Sequence, residues 1–224
     1  MEVLEAIRTR RSIRQFKKEP VPPELIEKML EAARWAPSSA DSQPWEFIVI
    51  TDPEIKKSIS RSFNIGRFLN EAPLAIAVVA DRLRTALPVQ DGTLAAYAIW
   101  LAAHDLGLGA CWINPNVPGG IKKILGIPFT KKLITVLAIG YPDEAPVHTR
   151  KKLSELVYFE KHGNKQSPNL LKPPNYKFQM PIIIVGDRYA EALFVSGVTR
   201  GDWGFGPNII RTLQFLRKSS LYKQ

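Results

Sequence analysis

Four arginines, Arg8, Arg10, Arg11 and Arg14, stand close together near the amino terminus with Ser12 among them. Guanidinium groups at that density repel one another unless water surrounds each or an anion sits among them, and planar forks flanking a hydroxyl suit a terminal phosphate. A solvated basic turn fits the same spacing. A second polar cluster lies at residues 36–45, APSSADSQPW, where Pro37, Ser38, Ser39, Asp41, Ser42 and Gln43 crowd between two prolines. Small polar residues in such a connection can offer hydrogen-bonding groups to a planar heterocycle, or can simply join a helix to a strand with Trp45 in the core. The third segment runs from Gly107 to Asn114, GLGACWIN, and its two glycines permit close backbone approach or positive φ. It lacks the third glycine of a dinucleotide-binding fingerprint, and its glycines end a helix instead of opening one.

Other chemistries find less support. Cys111 is the only cysteine, so no disulfide forms within one chain; with no neighbouring base it reads as a small buried residue. His104, His148 and His162 show no metal-ligand spacing, and no metal site is expected.

The elements that must position these segments follow from periodicity. Val3, Leu4 and Ile7 have helical spacing. A second helix is predicted to start near Pro23, with Glu24 in its first turn and Leu25, Ile26, Met29, Leu30 and Ala33 on one face, and to end before Pro37. Residues 45–50 (WEFIVI), 74–80 (LAIAVVA) and 134–139 (ITVLAI) read as strands. All three are continuous apolar runs, which predicts helices on both faces of the sheet they form. Residues 93–106, TLAAYAIWLAAHDL, form a helix with apolar residues on almost every side. Such a helix must be enclosed all round, either in a monomer's core or, more economically for a chain of 224 residues, at a dimer interface.

The formal net charge is +10, and more than half of it falls in the last quarter: residues 164–224 carry a net +6 and residues 1–163 a net +4. Basic surfaces can serve nucleic acid, anionic membranes or phosphorylated ligands; the scattered lysine pairs here read as solvated charge, and nucleic acid is an unlikely partner. The longest apolar run falls well short of the ~20 residues needed to cross a bilayer, and the first residues, MEVLEAIRTRRSIR, contain no apolar signal core. A cytoplasmic enzyme without a membrane segment is expected.

Six blocks, RRSIR at 10–14, APSSADSQPWEFIVI at 36–50, GLGACWI at 107–113, LGIP at 125–128, LAIGYP at 137–142 and RKKLSELV at 150–157, resemble in order those of the FMN-dependent nitroreductase family. The resemblance covers about residues 1–163. It implies an α+β fold, a three-layer sandwich in which a central, mostly antiparallel sheet is flanked by helices, and an intertwined homodimer with FMN at the subunit interface. It further implies that Arg10, Arg11, Ser12 and Arg14 hold the phosphate and ribityl chain, with Arg150 and its neighbour Lys151 also reaching the phosphate. The segment with Pro37, Ser38, Ser39, Asp41 and Gln43 would line the flavin from the partner chain, while Ile113 and Asn114 would present backbone to the flavin N5 edge. A looser match places Asn64 and Arg67 near the pyrimidine end of the ring.

The implied activity is electron transfer from NADH or NADPH through FMN to a small organic acceptor of nitroaromatic or quinone type. The chemistry belongs to the flavin, so no catalytic side chain is expected. Specialised relatives, a reductive dehalogenase or a flavin-consuming synthase, and a basic nucleic-acid- or protein-binding module are the alternatives. Two departures stand out. Asp41 occupies a position where the family commonly has Asn; it loses an amide donor and, if ionised, places negative charge near a flavin that becomes anionic on reduction. Residues 164–224 have no counterpart in the compact family members and form an extension expected to wrap the partner, cap the flavin or make a separate contact. They contain prolines at 168, 173 and 174, a strand-like run at 181–185, a Gly/Trp loop at 201–206 and an amphipathic stretch at 209–216.

Overall fold

The computed structural model describes residues 1–62, 67–114 and 120–165, with the backbone of 183–185 and 190–192. The chain divides into two compact units, Met1–Arg150 and Lys151–Gln224.

The first unit is built on a four-stranded antiparallel sheet. Strands β1 (Trp45–Ile50), β2 (Leu74–Asp81), β3 (Gly109–Ile113) and β4 (Lys131–Gly140) lie in the order β1-β2-β4-β3. Side chains alternate across a strand, so the near-continuous apolar run of β2 feeds two cores at once. Leu74, Ile76, Val78 and Ala80 enter one, and Ala75, Ala77 and Val79 the other. On the first face the core is completed by Met29 and Ala33 of α2 (Pro23–Arg34) and by Ala95, Ala96, Ile99 and Ala103 of α5 (Pro88–Asp105). On the second it is completed by Ile59 of α3 (Pro53–Arg61), Leu69 of α4 (Arg67–Glu71) and Ile121 of α6 (Gly120–Ile124). Helices therefore cover both faces, as the apolar runs predict.

Strand β1 is the exception. It is an edge strand, and its Glu46 and Val49 are exposed, so its apolar run is half covered in the single chain.

The amino-terminal helix α1 (Val3–Thr9) ends where the arginines begin. Helix α5 starts at Pro88, five residues before the expected Thr93. Pro88 takes the first-turn position, where a missing N–H costs nothing. Gly92 disguises this turn in the sequence; it is required because a Cβ there would stand 2.5 Å from Cγ1 of Ile134. Strand β3 is the element that periodicity misses, since it is short and opens on a glycine. A Cβ on Gly109 would lie 2.6 Å from Cγ1 of Ile13, so the glycine permits the close approach of residues 10–14.

In the second unit, α7 (Leu153–Leu156) is tied to Lys165, whose ammonium donates to the carbonyls of Ser154 (2.9 Å) and Glu155 (2.8 Å). Ile183–Val185 (β5), inside the strand-like run, pairs antiparallel with Ala190–Ala192 (β6). The prolines at 168, 173 and 174, the loop at 201–206 and the stretch at 209–216 lie outside the described residues.

Candidate functional site

The basic segment is extended and is held by main chain on both sides. Ser12 bridges in parallel to Ala110 of β3, and the Ile13 N–H donates to the Ala110 carbonyl at 3.1 Å. Beyond it, Phe16 bridges to Pro142, Lys17 donates to Tyr141 (2.9 Å), and Asp143 donates back to Gln15 (2.9 Å). One carboxylate completes the clamp: Oε1 of Glu144 accepts from the backbone N–H groups of Arg14 and Gln15.

The arginines do different things. Arg10 caps α1 and lays its guanidinium over the Trp100 ring, 4.7 Å from the centroid, with Tyr97 at 6.0 Å. Its Nε is buried with no hydrogen-bond partner among the described residues. Arg11 turns back and donates from one nitrogen to the carbonyls of Arg8 and Arg10, each at 2.8 Å. Arg14 is exposed, as a ligand-facing or solvated guanidinium would be. Beside this segment lies a cavity of about 410 Å³ lined in part by Arg11, Ile13, Trp100, His104 and Glu144. Burial, then Arg10 and Arg11, push the His104 pKa below the ordinary histidine value. Thr9 Oγ1 donates to the Glu5 carbonyl (2.7 Å), so it accepts at 2.8 Å from His104 Nε2, which fixes the neutral tautomer with its proton on Nε2.

The polar loop is held differently. Ala40, Asp41 and Gln43 have φ of +50°, +51° and +45°, a left-handed conformation that costs non-glycine residues energy and persists only where the surroundings enforce it. Asp tolerates that region better than most residues, which gives Asp41 a backbone reason to be there. Its Oδ1 accepts from Gln43 Nε2 at 3.0 Å, and Gln43 N–H donates to Ser38 Oγ at 2.9 Å. The external anchor is Asp91 in the first turn of α5, only 2% exposed. One carboxylate oxygen takes the Ser39 N–H at 3.0 Å and the other takes the Thr85 hydroxyl at 2.6 Å. Ser42 Oγ, in the same loop, is buried without a partner among the described residues.

The remaining candidates spread outward. Ile113 is buried at the end of β3, where its carbonyl accepts from Thr135 Oγ1 at 2.9 Å, and Asn114 beside it is exposed. Pro37 is exposed at the start of the loop, and Arg67 is exposed at the start of α4. Asn64 lies outside the described residues. Arg150 closes the first unit, exposed, with its guanidinium on the Thr149 carbonyl at 2.9 Å; Lys151, also exposed, opens the second unit. Cys111 is buried, and burial pushes its thiol pKa up, away from a nucleophile's range.

Sequence reasoning missed Asp91, Glu144, Tyr97 and Trp100 as supports. Asp91 was concealed by the late helix start. The clue for the aromatics was their spacing: residues three apart share a helix face, and a nearby arginine seeks such a face.

Comparison with known proteins places these features in a wider group. A family model described as the nitroreductase family matches residues 7–66 and 60–141. A protein of Methanothermobacter thermautotrophicus, provisionally named an NADH dehydrogenase/NAD(P)H nitroreductase, is 42% identical over 153 residues, 65% of this chain and 80% of that protein. Among solved structures, an FMN-dependent nitroreductase from Clostridium difficile is 34% identical with a TM-score of 0.67, covering 70% of this chain and 99% of the other. An iodotyrosine deiodinase solved with FMN and 3-iodo-L-tyrosine is 25% identical with a TM-score of 0.63, covering 71% of this chain and all of the other.

Proposed function

The chain belongs to the nitroreductase family, and from that premise we propose that it binds FMN at the interface of a homodimer and carries electrons from NADH or NADPH to a small organic acceptor of nitroaromatic or quinone type. The observation that carries this reading is the extended basic segment, clamped by main chain with Arg14 left exposed and Arg10 held over Trp100. It includes a buried guanidinium nitrogen, Nε of Arg10, that has no acceptor among the described residues. An anion among Arg10, Ser12 and Arg14 satisfies that donor, and a phosphate has the charge to match. Arg150 would add to the phosphate site, Ile113 and Asn114 would offer backbone to the ring, and the strained loop at 37–43 would receive its flat face. Arg67 and Asn64 would meet the pyrimidine end.

The exposed side of α5 supports the dimer. In the single chain Leu94 is 44% exposed, and Ala98 and Leu101, which share its side of the helix, are half-buried. This apolar stripe calls for a second copy and completes the three-layer sandwich as one half of an intertwined pair. An antiparallel, two-fold pairing of α5 sets the Asp91 end of one helix against the Trp100 end of the other. The loop of one subunit then meets the arginines of its partner. The chemistry that FMN supplies when bound is hydride exchange with the nicotinamide and electron delivery to the acceptor, so the protein's residues need only bind, orient and shield.

Flavin titration tests the reading. Each charge-assisted hydrogen bond contributes about 1.5–3 kcal/mol, so Arg14→Ala should weaken FMN about tenfold to a hundredfold and leave riboflavin almost unaffected. If Arg14→Ala and Arg150→Ala both keep the parent's affinity and its preference for FMN, the phosphate site is misplaced. Leu94→Glu should yield monomers in light scattering and release flavin; a flavin-replete monomer would remove the interface from the proposal. The likeness to the iodotyrosine deiodinase supports a second acceptor class, and iodide release from 3-iodo-L-tyrosine under reducing conditions, with inert nitroaromatics, would select it.

A further inference from the structure

We propose that Tyr97 and Trp100, one turn apart on α5, are positioning residues that hold Arg10 ready for the cofactor phosphate, and so set the preference for FMN over uncharged flavins. The proposal rests on the reading of Arg10 as a phosphate ligand.

The geometry is that of a shelf. The Arg10 guanidinium carbon lies over both rings, 4.7 Å from the Trp100 centroid and 6.0 Å from that of Tyr97, so Trp100 is the closer surface and Tyr97 its margin. Stacking uses the face and spends none of the in-plane N–H donors. Arg10 Nε is buried without an acceptor among the described residues, so the shelf holds a donor that is already stripped of water. Leaving such a donor unsatisfied is unfavourable, a cost that an arriving anion removes.

The neighbouring arginine makes the point by contrast. Arg11 commits Nη1 to two main-chain carbonyls and fixes the turn, whereas the Arg10 guanidinium sits over the Trp100 ring and is bonded to no carbonyl of the described residues. An unrestrained arginine side chain loses rotamer freedom when it is immobilised on a ligand; one held in place beforehand has already met that cost. Lysine at position 10 has no plane to stack, and an aliphatic residue at position 100 offers no ring.

A double-mutant cycle on the full-length protein, titrated separately with FMN and riboflavin, tests this. Cation–π attraction of about 0.5–2 kcal/mol corresponds to a two- to thirtyfold loss, so Trp100→Leu should weaken FMN by that factor and spare riboflavin. Trp100→Phe should recover most of the loss. In the Arg10→Ala background, Trp100→Leu should have no further effect on FMN, because the shelf has nothing left to hold. Equal weakening of both flavins by Trp100→Leu, or full additivity with Arg10→Ala, would reduce Trp100 to a packing residue and overturn the proposal. Should Trp100→Leu fail to fold by circular dichroism, Tyr97→Leu takes its place in the cycle with the same criteria. If Arg10→Ala itself leaves FMN affinity unchanged, the phosphate reading fails at that arginine and the shelf falls with it.

Discussion

Residues 10–17 and residues 38–43, the two segments offered to the cofactor, are held by opposite means. The basic segment is fastened by main-chain bonds to β3 on one side and to residues 141–143 on the other, with Glu144 as a supplement. No single side chain carries it. The polar loop bends through three residues of positive φ, and its tie to α5 is one buried carboxylate, Asp91. A backbone-held segment tolerates side-chain variation and leaves its arginines free to serve a ligand. A loop held by one side chain can be strained into an unusual shape, but it is lost when that side chain goes. The two segments should therefore break in different ways.

The largest effect is expected at Asp91. Asp91→Ala strands the Ser39 N–H and the Thr85 hydroxyl, each at about 1–3 kcal/mol, so unfolding free energy should fall by about 2–6 kcal/mol in urea at fixed protein concentration. Asp91→Asn, which keeps one acceptor oxygen, should lose about half as much. Flavin should be released in both. A loss under about 1 kcal/mol with flavin retained would mean that the loop keeps its shape without the carboxylate.

The basic segment resists side-chain changes, and its weak point is a missing side chain. In Gly109→Ala the new Cβ would meet Cγ1 and Cβ of Ile13 at 2.6 and 2.7 Å, forcing residues 12–14 away from β3. Overpacking of this kind costs about 1–3 kcal/mol. Amide hydrogen exchange at Ile13, which bonds Ala110, should accelerate by more than exchange in β2. Unaltered exchange there would show that the strand, and not the segment, absorbs the strain.

Sequence and structure agree best where one period dominates. Trp45–Ile50 is a strand at its expected limits, Pro23 opens α2, and the β2 run shows its two-sided burial in its composition. Agreement ends where two elements share a constraint. Gly92 and Gly109 look like interruptions until Ile134 and Ile13 are seen against them, and so the start of α5 and the whole of β3 go unread. The same holds for the site. Arginine density and a polar loop between prolines are local signals. The carboxylates that tie them down, Asp91 to a loop 52 residues earlier and Glu144 to Arg14 130 residues earlier, are long-range pairs that no local window contains.

Glu144 sharpens the comparison at smaller scale. Glu144→Ala removes acceptors from the Arg14 and Gln15 N–H groups, but the bridges at Ser12 and Phe16 remain. Because those N–H groups are within reach of water, the loss should be about 1 kcal/mol, well under that of Asp91→Ala. A loss as large as that of Asp91→Ala would show that the basic segment also hangs on one carboxylate.

The smallest effect concerns pH and the seat of the basic segment on α5. His104 donates from Nε2 to Thr9 and is faced by Arg10 and Arg11, with Asp105 and Glu5 as the opposing charges. Burial and the two arginines lower its folded pKa below the usual value of 6.5, so the unfolded chain takes up the proton first. The sign follows: the neutral ring's contribution is complete above about pH 6.5, declines as pH falls from there toward the folded pKa, and then levels. Glutamine at position 104 can keep the donation to Thr9 and does not titrate. The difference in melting temperature between the parent and His104→Gln should therefore be constant above pH 7 and shift against the parent by pH 5, while carboxylate titrations common to both proteins cancel. Parallel curves over that range would mean that His104 is solvated well enough to accept its proton beside two arginines. A shift confined to flavin-free protein would place the sensitivity in the arginines, because a phosphate bound among them offsets the charge that His104 feels.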